Sequence, residues 1–195
     1  MNNIKRVLSL MLALLCVLTF VSCGDIGYTE EEIKQTAQTL IEASYELNEI
    51  YFGEGLPTKD EVSVGSALYR PVTDDCKYHS TLEIKAATEK VYTEDYCQIL
   101  FKRGFEGTSL QSDTRIVYAR FIDDFDGRLT ARKDLKETAL YNGRTYDFST
   151  MKVDSMKKTE AKITVTSMVN GKTDQDVAIT LKLEQSGWRL DTPTY

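Results

Sequence analysis

One histidine, one tryptophan and three prolines in 195 residues leave little material for several kinds of chemistry. A lone imidazole, His79, cannot supply Cys/His zinc spacing. Any Ser/His/Asp or Cys/His catalytic arrangement must use His79 or nothing. Also missing are GxSxG, a P-loop, a GxGxxG that opens a helix after a strand, and HExxH. No motif therefore asks for a cofactor, and the expectation of hydrolase or nucleotide chemistry falls. No dense Lys/Arg stripe occurs, and 24 basic residues stand against 30 acidic ones, a net charge of −6. Such a chain does not attract polyphosphate, so nucleic acid is not an expected partner. Nor is there an apolar run of spanning length: Val7 to Val21 is the long uncharged stretch, short of the roughly 20 residues a membrane helix needs.

What the amino-terminal stretch does offer is an address. Lys5 and Arg6 precede the apolar run as a positive n-region, the layout of a signal peptide. The run closes in Leu18-Thr-Phe-Val-Ser-Cys-Gly-Asp25, with small Ser22 just before Cys23. This junction resembles the lipobox of bacterial lipoproteins, although Phe20 and Val21 stand where that family prefers Leu and a small residue. The resemblance implies cleavage before Cys23 and attachment of a diacylglycerol to its thiol. The expected organisation is a signal peptide over 1–22, a short tether over 23–28 and one domain over 29–195, held to the outer face of the cell membrane by the lipid. An ordinary signal peptide or an uncleaved short anchor would put the domain on the same side. Removal of residues 1–22 takes away Lys5 and Arg6 and no acid, leaving 22 basic against 30 acidic residues, a net of −8.

Besides Cys23, two cysteines lie in the remaining chain, Cys76 and Cys97. Outside the membrane they could close a disulfide, whose loop of about 20 residues would contribute about 3 kcal/mol in the chain-entropy model. Equally, Cys97 can be a buried thiol, since Cys97, Leu100 and Phe101 recur at i, i+3, i+4 on one helix face.

Thr29-Glu-Glu-Glu32 is a capping box, and Ile33, Ala37, Leu40, Ile41, Ser44, Leu47 and Tyr51 follow at helical steps, predicting an amphipathic helix of about 23 residues that ends at Gly53 and Gly55. Its outer face is acidic, which argues against a membrane-surface role. Residues 56–80 read as irregular, with a short strand at 67–70. Ser80-Thr-Leu-Glu83 opens a second helix to about Lys90, and Thr93 caps a third to about Arg103. From Arg115 the pattern turns to strands at 115–122, 128–133, 146–153, 161–169, 176–183 and 188–191, with Asp126-Gly127, Asn170-Gly171 and Ser186-Gly187 at turns. Helices first and antiparallel strands after define an α+β fold, three helices packed on one curved sheet of about five to six strands.

This order, and the closing ITLKLEQSGWRLDTP, resemble the cone-shaped nuclear transport factor 2 (SnoaL-like) superfamily over about residues 29–192. Enzymes of that superfamily do acid/base work inside the cone, so the resemblance implies a pocket. The chain's candidates for lining it are Tyr118, Arg120, Tyr146, Asp147 and Trp188. The layout of ALYRPV, STLEIKAATEKVYTEDYCQIL and DGRL is also similar to small exported proteins that include the IseA family, implying inhibition of a wall-cleaving DL-endopeptidase.

Asp123-Asp-Phe-Asp-Gly127 has the carboxylates of a calcium loop, but with Gly127 at loop position 6, Ile122 and Lys133 fall where oxygen ligands are required. It reads instead as a hairpin turn, with Gly127 supplying positive φ. His79, three residues after Cys76, reads as an exposed loop residue ahead of a dyad. The functional expectation is a lipid-anchored, non-enzymatic binding module for a protein or small ligand at the cell envelope. A DL-endopeptidase inhibitor and a SnoaL-like acid/base enzyme are the alternatives.

Overall fold

Helix α1, Glu30–Phe52, begins where the capping box places it. Thr29 Oγ1 accepts from the Glu32 N–H at 3.2 Å, and Glu32 returns a carboxylate oxygen to the Thr29 N–H at 2.8 Å. Two of the four amide donors left unpaired at a helix start are thereby satisfied. All seven residues of the expected stripe are buried, joined by Asn48, Ile50 and Phe52. These features belong to a computed structural model that describes residues 27–63, 67–109 and 116–195. The expected signal peptide, the lipobox-like junction with Cys23 and most of the expected tether lie outside the described residues.

Strand β1, Tyr69–Pro71, precedes helix α2, Thr81–Glu89, and helix α3, Glu94–Phe101. Ser80 and Thr93 cap these helices, each accepting from the backbone N–H three residues on. The second capping box is half made, because Glu83 bonds the N–H of His79 and not that of Ser80. Beyond α3 the chain widens into a π-type turn, Lys102–Glu106. Gly104 sits there against Tyr51, whose ring would stand 2.7 Å from an added Cβ, so a close approach requires glycine.

The strands form two larger sheets and a ribbon, which corrects the expectation of one sheet of five to six strands. The ribbon pairs β2, Thr108–Ser109, with β3, Ile116–Val117. Strands β4, Phe121–Asp123, and β5, Leu129–Arg132, make the expected hairpin, but β5 pairs onward with β1, giving an antiparallel order β1-β5-β4. The second sheet runs β6-β7-β8-β9, from Thr145–Met156, Glu160–Val169, Lys172–Glu184 and Gly187–Leu190. What separates the sheets is the segment between β5 and β6, where Leu140 and Tyr141 donate their N–H groups to the Phe52 carbonyl instead of continuing a ladder.

In the four-stranded sheet the alternation holds. Ala161, Ile163, Val165 and Ser167 of β7 are buried with Ile179 and Leu181 of β8, while the intervening residues are wetter. Asn170 and Gly171 take φ of 53° and 72°, the left-handed pair that a tight hairpin between twisted strands demands. Strand β6 bulges between Asp147 and Lys152, and Thr150 Oγ1 accepts from the Thr166 N–H at 2.9 Å where the ladder is broken, as Met151 turns into the core. Helix α1 lies against β6 and β9, and Phe121, Leu129, Ala131 and Leu135 of the smaller-sheet region join the same hydrophobic cluster, so both sheets share one core.

Candidate functional site

The five residues expected to line one pocket have different jobs. Arg120 is buried and donates from Nε to the Ile50 carbonyl at 3.1 Å and from a terminal nitrogen to the Gly53 carbonyl at 2.6 Å. With Arg103 on the Tyr51 carbonyl, it supplies the positive charge that the last turn of α1 lacks in its own sequence. Burial, then the neighbouring Arg103 and Arg132, push the Arg120 guanidinium down to about 10, so it stays charged at neutral pH. Tyr146 is buried and donates to the Thr194 carbonyl at 3.1 Å, with burial raising its phenol to about 12. Trp188 packs its buried indole edge-on against Tyr28, ring centres 5.5 Å apart. Tyr118 is 46% exposed and uses its backbone carbonyl to accept from Arg132. The expected pocket is therefore corrected: these side chains go to helix capping, tail anchoring, packing and surface, and do not converge. Asp147 serves the β6 bulge, accepting from the Ser149 N–H.

Cys76 and Cys97 are both free thiols, so the candidate disulfide is not made. Cys97 is the buried thiol of the alternative reading, its Sγ 3.6 Å from the Tyr92 carbonyl. Burial, reinforced by Glu89 and Glu184, pushes the thiol up to about 12. His79 is exposed; its N–H donates to Glu83 and its carbonyl accepts from Leu129.

A cluster invisible in the linear sequence lies beneath α1. Thr194, fully buried, brings its hydroxyl to Ser44 at 2.7 Å, Asn48 Nδ2 at 2.9 Å and Tyr92 at 3.1 Å, while Tyr92 also donates to Asn48 Oδ1 at 3.2 Å. Every member has a partner inside the protein, so the cluster closes the carboxy-terminal segment onto α1 and offers nothing to a ligand.

The hairpin between β4 and β5 is built differently. Asp124, whose side chain is 1% exposed, accepts from the N–H groups of Asp126 and Arg128 at 3.0 Å each, from Arg128 Nε at 3.2 Å, and from Ser63 Oγ at 3.4 Å. Burial opposes its charge, yet the two N–H groups and the Arg128 guanidinium hold the carboxyl below the usual carboxylate range. Asp123 accepts from the Thr81 N–H at 2.9 Å and hydroxyl at 2.6 Å, tying the hairpin to the start of α2. Gly127 has φ +74°, as the turn requires. Two of the three acids of the calcium-like motif thus direct their oxygens to protein donors.

At the tip of this braced turn stands Phe125, 89% exposed. Two more exposed aliphatic residues lie on the segments that meet the hairpin: Val62, 60% exposed, precedes Ser63, and Leu82, 73% exposed, follows Thr81. The sequence reading found the turn and missed its aromatic. The signal was a phenylalanine in the middle of a loop whose other positions are occupied by turn formers. Neither a protein-family model nor a curated protein matches this chain.

Proposed function

We propose that the chain is a lipid-anchored, extracytoplasmic binding module that docks a protein partner through the Asp123–Gly127 hairpin. The observation that carries this reading is the exposure of Phe125 on a turn whose conformation is already set by Asp124, Asp123 and Gly127. A large aromatic on a pre-ordered loop is the usual form of an interface anchor, because the ordering cost is met in folding and burial of the ring is left for the partner. That burial is worth about 1.5–3 kcal/mol. Exposed Asp126 and Glu61, with Asp124, outnumber the one cation they face, Arg128, so a complementary surface is an apolar pocket with a basic rim. Anchoring at Cys23 would confine the hairpin near the membrane and raise its effective concentration for partners held there.

Two further facts support binding over acid/base catalysis. His79 is exposed, and the buried carboxylate of Asp124 is engaged within the turn rather than aimed into a cavity. An inhibitor of a wall DL-endopeptidase is the specific form of this reading that a protruding, rigid hairpin favours.

A photo-crosslinking residue at position 125, introduced in the full chain in its own cells, tests the reading. Position 125 is expected to capture one partner that position 158, in the β6–β7 turn, does not capture, and capture should be lost when unlabelled wild-type chain competes but not when Phe125→Asp chain does. Equal capture from both positions would overturn it. Slowed peptide cleavage by a purified DL-endopeptidase at micromolar chain would identify the inhibitor form, and an intact mass reporting a diacylglycerol on Cys23 would establish the anchor.

A further inference from the structure

Seven arginines lie among the described residues, and six of them are engaged. Arg103 and Arg120 hold carbonyls of α1, Arg128 holds Asp124, Arg132 holds Asp134 and the Tyr118 carbonyl, Arg144 holds Asp174 and the Tyr195 carbonyl, and Arg189 holds the Glu89 carbonyl and Ser186. The Arg70 side chain has no hydrogen bond or ion pair among the described residues, and its Nε is buried without an acceptor; the Nε of Arg144 is also unpaired, but that guanidinium is held through its two terminal nitrogens. A buried donor left unpaired costs about 1–3 kcal/mol, so its place in the fold calls for a physical reason.

Arg70 lines a cleft of about 450 Å³ between the segment that follows α1 and the strands β1 and β5. The register sets it there. Arg70 pairs with Ala131, which pairs with Phe121, so the three residues share one face of the small sheet, with Phe121 and Ala131 buried in the core and Arg70 at its edge strand. The outer side of β1 is covered by backbone, as Lys59 donates its N–H to Pro71 and Ser63 to Tyr69, which closes that direction to solvent. Leu56, Leu135 and Ala131 supply apolar wall; of the other cations in the lining, Arg132 is paired with Asp134 and Lys136 with Glu54, and exposed Lys133 stands at the rim. The acids of the lining are committed elsewhere: Glu49 accepts from the Glu54 N–H at 2.7 Å, and Glu54 faces Lys136 at 3.5 Å.

We propose that this cleft binds a small organic carboxylate, with the carboxylate on the Arg70 guanidinium and an apolar body over Leu56 and Leu135. The planar fork of arginine matches two carboxylate oxygens, and a ligand oxygen on Nε removes the unpaired donor. Cleft size lies within the range of small-molecule sites. Glu49 and Glu54 in the same lining select against a doubly charged phosphate more strongly than against a singly charged carboxylate.

The test is an NMR titration of the isotope-labelled full chain in detergent with sodium butyrate, with inorganic phosphate and sodium chloride as parallel probes. Butyrate is expected to give a saturable downfield shift of the Arg70 Nε–Hε signal together with the amides of Gly55 and Ala131. In Arg70→Gln the saturable response of Gly55 and Ala131 should vanish, and in Arg70→Lys, which keeps charge without the fork, it should weaken at least about tenfold. Should Arg70→Gln lose its folded spectrum, Lys133→Gln, at the exposed rim, carries the test through a several-fold weaker butyrate response. A linear response equal to that of chloride, a saturable response that survives Arg70→Gln, or saturation by phosphate in place of butyrate would each overturn the proposal.

Discussion

Two regions of this molecule saturate their polar groups internally, yet what they leave at the surface is opposite. Beneath α1, Ser44, Asn48, Tyr92 and Thr194 satisfy one another in the interior and show nothing outside. In the β4–β5 hairpin, Asp123 and Asp124 are satisfied just as fully, but the structure they hold pushes Phe125 into solvent. A hydrogen-bonded cluster is therefore no pointer to a site by itself. The informative feature is the group such a cluster leaves unspent, an apolar ring at the hairpin or a donor without an acceptor at Arg70.

The contrast predicts unequal responses to substitution. Thr194→Val should be the most damaging, since it strips the shared hydroxyl from Ser44, Asn48 and Tyr92 at once. Urea unfolding is expected to show a loss of about 2–4 kcal/mol. Asp124→Asn comes next, at about 1–3 kcal/mol, because the Arg128 guanidinium loses the nearest of its anions and the two turn N–H groups lose a charged acceptor. The same group gives a pH signature. Its carboxyl is lower in the folded than in the unfolded chain, so its contribution is complete above the unfolded value near 4 and disappears as pH falls through the folded value. Stability of the wild type should thus drop more steeply below about pH 4 than stability of Asp124→Asn, as measured by urea midpoints across the acid range.

Thiol chemistry sharpens the comparison further. Cys97 neighbours Tyr92, and its thiol is pushed up to about 12, so an alkylating reagent should label half-buried Cys76 first and reach Cys97 only as the structure opens. Thr194→Val should accelerate Cys97 labelling and leave Cys76 unchanged, read by mass after timed quenching. Phe125→Ala should have the smallest effect on stability, within about 0.5 kcal/mol, because no described residue covers the 89% exposed ring. A large destabilisation there would mean the ring packs internally and would remove the hairpin as a docking surface.

Legibility in the sequence followed the range of the interaction. The caps at Thr29, Ser80 and Thr93, the buried stripe of α1, the alternation of β7 and β8 and the Asn170-Gly171 turn all depend on neighbours a few residues away, and all were readable. The division of strands between two sheets was not, because β5 chooses between β6 and β1 through contacts made far along the chain. Arg120 was singled out by its type and given the wrong surroundings, since its partners at Ile50 and Gly53 lie about seventy residues earlier. Thr194 carried no local signal at all. The hairpin was legible as a turn, while the exposure of Phe125 depended on whether any other segment would fold over it.

The hydroxyl of Thr194 meets that of Ser44 across 150 residues of chain. Helix α1 must therefore wait for its last polar partner while all of that chain is made, on the order of ten seconds at ribosomal speed. Over that interval the apolar face of α1 is without the four-stranded sheet it packs on, and the domain cannot close early around a partial core. Lateness of closure is thus written into the connectivity, since this contact cannot seal α1 before residue 194 has been made.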